Sequence, residues 1–124
     1  MEIGLTFVSK TVVNESNTAL TLGSGDMDVF ATPAMIALME NAAMNAVKSQ
    51  LPEGSTTVGA LMNATHAKPS GLGAEVSATA VLTEVDGRKL TFSVKAEDAS
   101  GVIGEGVHVR YIVDRERFMS KLKA

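Results

Sequence analysis

Phe30-Ala-Thr-Pro-Ala-Met-Ile-Ala-Leu-Met-Glu-Asn-Ala-Ala-Met-Asn-Ala-Val47 is the stretch that decides the fold, because it reads as one helix that is apolar nearly all round. Thr32 is placed to cap it and Pro33 to open it, since the N–H that proline lacks is one the first helical turn leaves unbonded anyway. From Pro33 to Val47 the only charged residue is Glu40. At about 100° per residue, Ile36, Ala37, Ala43, Met44 and Val47 fall within about 60° of it, while Asn41, Asn45 and Lys48 form a separate polar stripe. The helix is therefore expected to be wrapped by the rest of the chain, with one carboxylate on its apolar side.

Length and composition bound what surrounds it. A chain of 124 residues argues for a single domain over 1–124, long enough to bury about two-thirds of its unfolded surface. The net charge is −3 and no run of Lys or Arg occurs, which argues against nucleic acid or a polybasic membrane surface as partner. Without cysteine there is no disulfide scaffold and no thiolate nucleophile. The start Met-Glu-Ile-Gly-Leu-Thr has neither the basic residues nor the apolar run of a signal peptide, and no stretch of about 18 apolar residues could span a bilayer. A soluble, cytoplasmic protein is expected.

The other segments read as strands. Gly4 to Asn14 alternates loosely and suggests a first strand; Thr18 to Leu22 reads as a short second strand or the approach to a loop. Gly23-Ser-Gly-Asp-Met-Asp28 has no regular period and is a candidate lid ahead of the helix. Pro52 and Gly54 close the helix near Gln50. In Thr57 to Lys68, strict alternation puts Val58, Ala60, Met62, Ala64 and His66 on one face and Thr57, Gly59, Leu61, Asn63 and Thr65 on the other. Glu75 to Val85 directs Val76, Ala78, Ala80 and Leu82 inward, Asp86-Gly87 signals a hairpin, and Lys89 to Glu97 directs Leu90, Phe92, Val94 and Ala96 inward. After Asp98-Ala-Ser-Gly101, a long strand runs from Val102 to Val113, and Asp114 looks like the cap of a short terminal helix. An α+β hot-dog arrangement follows: an antiparallel sheet of five or six strands around one long buried helix, its free edge closed by a second copy in a homodimer.

Few groups could carry chemistry. Gly101-Val-Ile-Gly-Glu-Gly106 lies in or before a strand, which is the wrong setting for a phosphate loop, and its glycines mark a bulge or close backbone approach. Two histidines without cysteine argue against a structural zinc site, so no metal or cofactor is expected. What remains is Thr32, Glu40 and His66, polar groups on apolar surfaces, with His108 and Arg110 expected to be exposed or to contact a second subunit. A carboxylate or imidazole near a carbonyl can attack it or activate water, and a hydroxyl can align either one, which is the logic of acyl transfer. Glu40 lies about 12 Å along the helix from Thr32, so the two would approach a substrate from different directions.

Several segments, in order, carry a resemblance: Val29-Phe-Ala-Thr-Pro33 with Glu40 after it; Thr56-Thr-Val-Gly59; His66-Ala-Lys-Pro-Ser-Gly71; Val85-Asp-Gly-Arg-Lys-Leu-Thr-Phe92; and Gly104-Glu-Gly-Val-His-Val-Arg110 with Ile112, Val113 and Phe118. Over nearly its whole length the chain resembles the hot-dog thioesterases of the fluoroacetyl-CoA-specific type. The resemblance implies a thioester hydrolase acting on acyl-CoA, with a catalytic Thr32, Glu40 and His66, the backbone of Gly59 near the thioester and Arg110 near the acyl end. It also implies a pocket at a dimer interface, where His66 reaches Glu40 of the other chain. The lid here lacks the aromatic residues of the fluoroacetate-specific enzyme, so a different short acyl-CoA or another thioester is expected. The alternatives are a non-catalytic hot-dog module that binds CoA or acyl-CoA, and a hydratase or dehydratase on the same fold; the latter usually pair an aspartate closely with a histidine, and no Asp-x4-His precedes either histidine.

Overall fold

A computed structural model describes residues 1–123. β1 (Thr6–Val12) is followed by a single helical turn, α1 (Ala19–Leu22), and by the long helix α2 (Thr32–Val47), which tightens into a 3-10 turn at Lys48–Gln50. Then come β2 (Ser55–His66), β3 (Glu75–Asp86), β4 (Lys89–Asp98), β5 (Gly101–Asp114) and the short helix α3 (Arg115–Ser120). The five strands form one antiparallel sheet in the order β1-β3-β4-β5-β2, curled over α2 in the hot-dog architecture. Val76, Ala78, Ala80 and Leu82 of β3 and Leu90, Phe92, Val94 and Ala96 of β4 are buried as their alternation predicts, in one core with Met35, Met39, Ala42, Ala43 and Val47 of the helix. Gly87 alone takes positive φ (+61°) in the β3–β4 hairpin, the arrangement of a type II′ turn, and the Asp114 carboxylate accepts from the Arg117 amide at 2.9 Å to cap α3.

The sheet has five strands, within the expected five or six. Four expectations are corrected. Ala19 to Leu22 is a helical turn, not a strand or the approach to a loop, because the Thr18 hydroxyl accepts from the Thr21 amide and Gly23 (φ +78°) ends the turn. Thr32 is the first helical residue, not the cap; Ala31 holds the cap position without a side-chain bond. The helix is covered on one side only: Pro33, Ala37 and Asn41 are exposed and Glu40 is half-buried, so the carboxylate sits at the border of the core.

The fourth correction matters most for function. The β2–β5 register pairs Gly59 with Arg110 and Leu61 with Val109, leaving Ala60 unopposed as a β-bulge. One extra residue reverses the parity of everything before it, so Thr57 and Gly59 share the inner face with Met62, Ala64 and His66. β5 places Gly104, Gly106, His108 and Arg110 inward beside them. A Cβ on Gly104 would meet the Met35 sulfur at 2.7 Å and one on Gly106 would strike the Asn63 carbonyl, so those glycines mark close approach, as expected.

Candidate active site

Two clusters of polar groups occupy the inner face of β2, one at each end. At the C-terminal end, Nδ1 of His66 lies 2.7 Å from the Thr32 hydroxyl, which joins the end of β2 to the first turn of α2. The segment after His66 is pinned to hold that meeting: the Ala67 amide donates to Ile103, the Phe30 amide to the Ser70 carbonyl, and the Ser70 hydroxyl to Asp98 at 2.6 Å. Hydrogen bonds from Ser100 and Ser70 hold the Asp98 carboxyl below its ordinary pKa. Burial pushes the pKa of His66 down, partly offset by the Lys68 backbone, so the ring is neutral at pH 7. Its Nε2 is closed off within the chain and has no hydrogen-bond partner among the described residues. A cavity of about 270 Å³ opens beside this pair, lined by Ser24, Phe30, Thr32, His66, Lys68 and Pro69 among others.

At the other end, Gly59 faces Glu40. The position a Cβ would take on Gly59 is 2.9 Å from Oε2 of Glu40, 3.4 Å from Cε1 of His108 and 3.6 Å from Nη1 of Arg110. Glycine therefore keeps a methyl-sized space between a carboxylate, an imidazole and a guanidinium. Arg110 is only 6% exposed and His108 1%, which corrects the expectation that they are exposed. The reason is the strand face they share with Gly104 and Gly106, whose lack of side chains lets that face close on α2. The Arg110 Nε donates to the Thr57 hydroxyl at 2.8 Å, Nη2 to the Thr57 carbonyl at 2.9 Å, and Nη1 to Nε2 of His108 at 3.2 Å. Burial pulls the Arg110 pKa below its ordinary value while Glu40 opposes that effect. No hydrogen bond or ion pair reaches the Glu40 carboxylate from the described residues.

The two clusters do not meet inside one chain. Thr32 and Glu40 are separated by about 12 Å of helix, and Gly59 and His66 by roughly 20 Å of strand. A larger groove of about 720 Å³, between β1 and α2, contains none of Thr32, Glu40 and His66.

The model of the family described as fluoroacetyl-CoA-specific thioesterase matches residues 13–116. The chain belongs to that family. It is 36% identical over 96 residues, 77% of this chain and 69% of the relative, to the fluoroacetyl-CoA thioesterase of Streptantibioticus cattleyicolor. A solved structure of a fluoroacetyl-CoA thioesterase superposes with a TM-score of 0.92 at 32% identity, covering 99% of this chain and 96% of that one. A variant of that enzyme in complex with fluoroacetate and CoA superposes at 0.89 and 33% identity, covering 95% and 99%. As a member of the fluoroacetyl-CoA-specific thioesterases, a family of thioester hydrolases, the chain presents Thr32, Glu40 and His66 on its open helix flank and adjoining sheet face. Straight alternation missed Thr57 as a partner of Arg110, because it put Thr57 on the outer face of β2. The signal was present in Gly59-Ala60, two small residues inside a strand, which is where a bulge is accommodated.

Proposed function

We propose that the protein is a homodimeric acyl-CoA thioesterase that converts a short-chain acyl-CoA to free acid and CoA, with Thr32, Glu40 and His66 catalytic and Gly59 and Arg110 binding substrate. The observation that carries this reading is the division of the polar groups into two half-sites on the inner face of β2, an edge strand with nothing paired to its outer side. Antiparallel pairing of β2 with its copy about an axis through Asn63, the bulged Ala60 set aside, keeps inner face opposite inner face and sets His66 against Gly59 of the partner subunit. Each Thr32–His66 pair then faces Glu40 of the partner subunit across one pocket, and the dimer has two complete sites. The cytoplasmic location expected from the sequence belongs to the same reading.

In such a pocket Glu40 either takes a proton from a water that attacks the thioester carbonyl, or attacks the carbonyl itself to form an anhydride that a water then hydrolyses to the free acid. The Arg110 guanidinium lies beside the acyl end, where its charge favours the developing oxyanion. Breaking the C–S bond releases the CoA thiolate, and the His66 imidazole, aligned by Thr32, conveys a proton to it. The Thr32 and Ala34 amides in the uncapped first turn of α2 offer further donors to an oxyanion. The cavity of about 270 Å³ suits a short group, and the absence of an aromatic side chain from Gly23 to Asp28 argues for an acyl group other than fluoroacetyl.

The test is release of free thiol from a panel of short and medium acyl-CoAs, with Glu40→Gln and His66→Ala beside the wild type. Turnover that both substitutions abolish supports the proposal; intact acyl-CoA bound without turnover by calorimetry would make the protein a binding module instead.

A further inference from the structure

His108 has been given no role in the reaction, yet both of its ring nitrogens are hydrogen-bonded. Its Nδ1 lies 2.7 Å from the Leu61 carbonyl, immediately after the bulge, and a carbonyl can only accept. Its Nε2 lies 3.2 Å from Nη1 of Arg110, and a guanidinium can only donate. Both partners demand the same state: a neutral ring with the proton on Nδ1 and a lone pair on Nε2. A ring protonated at Nε2 would set one N–H against another.

We propose that His108 is a positioning residue for Arg110, holding the guanidinium against the Gly59 space by presenting an unprotonated Nε2. The Thr57 hydroxyl and carbonyl and the His108 ring are three neutral acceptors around a buried cation. A carboxylate in place of any of them would fix the guanidinium as well but would cancel its charge. Neutral ligands leave the positive field directed at the space beside Glu40, where the carbonyl oxygen of a thioester gains negative charge during hydrolysis. The Phe92 ring, 6.3 Å from the imidazole between centroids, flanks His108, and Glu40 and Arg110 are the charged groups facing it. The kinetic role rests on the thioesterase reading; the state of the ring does not.

Two substitutions separate the ring's nitrogens. His108→Gln keeps an acceptor near the Nε2 position, whereas His108→Asn keeps only a group near Nδ1. His108→Asn is expected to lower kcat/KM by roughly tenfold or more and His108→Gln to stay within about threefold of wild type. In an Arg110→Met background the cost of His108→Asn should vanish, because the residue acts through the guanidinium. Equal losses in the Asn and Gln variants, or an undiminished loss beside Arg110→Met, would overturn the proposal. Long-range proton–nitrogen NMR of the wild-type imidazoles reads the ring directly and needs neither turnover nor a folded variant. Protonation at Nδ1 alone supports the proposal; a proton on Nε2 at neutral pH refutes it. Absence of any acyl-CoA turnover by the wild type would instead count against the thioesterase reading alone.

Discussion

The two histidines of this chain sit on the inner faces of neighbouring strands, His66 at the end of β2 and His108 in β5 opposite Met62, and differ in how much of their chemistry the fold dictates. His108 is bonded at both nitrogens by groups that admit one tautomer and no charge. His66 is bonded at Nδ1 by a threonine hydroxyl, which can donate or accept, and at Nε2 has no partner among the described residues. A group fixed from both sides can orient its neighbour but cannot pass on a proton. His66, whose one bond is to a hydroxyl that can both donate and accept, can pass a proton through that hydroxyl. The same contrast extends to the carboxylates, since Asp98 is held by Ser70 and Ser100 whereas nothing in the described residues bonds Glu40.

If this division of labour is right, the largest effects should come from the groups left free. Glu40→Gln keeps the shape of the side chain and removes its charge, and should lower kcat by roughly 10³-fold with the thermal unfolding midpoint nearly unchanged; a variant with wild-type turnover would place the chemistry elsewhere. Gly59→Ala comes next. Gly59 does not occupy the left-handed backbone region, and the added methyl meets the flexible end of Glu40 at 2.9 Å, so the carboxylate can swing aside at little cost to folding. Activity should fall about 10²-fold through that displacement, while stability changes by less than about 1 kcal/mol. Thermal unfolding beside kinetics separates the two.

Thr32→Ala should cost about tenfold in kcat, with Thr32→Ser recovering most of it, because only the hydroxyl bonded to His66 is asked for. The smallest effect is on pH dependence. Both histidines titrate below their ordinary value of 6.5 because burial disfavours the charged ring. The unfolded chain therefore binds more protons than the folded one at mildly acidic pH. Their contribution to stability is complete above about pH 6.5 and is lost as pH falls through the folded values. The unfolding midpoint should drop across that window, and His108→Gln should flatten part of the drop; a midpoint insensitive to pH from 7 to 5 would show that the rings are not held neutral.

The hot-dog arrangement was legible from residue order alone, since Pro33, the apolar run to Val47 and the clean alternations at Val76–Leu82 and Leu90–Ala96 each have one physical reading. The pairing of Thr32 with His66 was not, because Thr32 at the head of a helix reads most simply as a cap, and only the path of residues 67–71 brings the imidazole to it. Thr57 and Gly59 were misplaced for a different reason. Strands alternate until a bulge intervenes, and the unopposed Ala60 that swings Thr57 and Gly59 inward leaves only the small side chains of Gly59 and Ala60 as a trace. The resemblance pointed to Gly59 and Arg110 as substrate-binding residues, and they lie side by side, but the network through Thr57 that holds Arg110 in place required the register.

The central claim, that a complete site needs two chains, is tested by mixing two inactive variants. Glu40→Gln homodimers retain His66, and His66→Ala homodimers retain Glu40. After subunit exchange, a heterodimer holds one site in which His66 and Glu40 are both intact, so random assortment should restore about a quarter of wild-type activity. If the mixture stays as inactive as its components once exchange is verified, each site lies within a single chain and the two-chain site is contradicted.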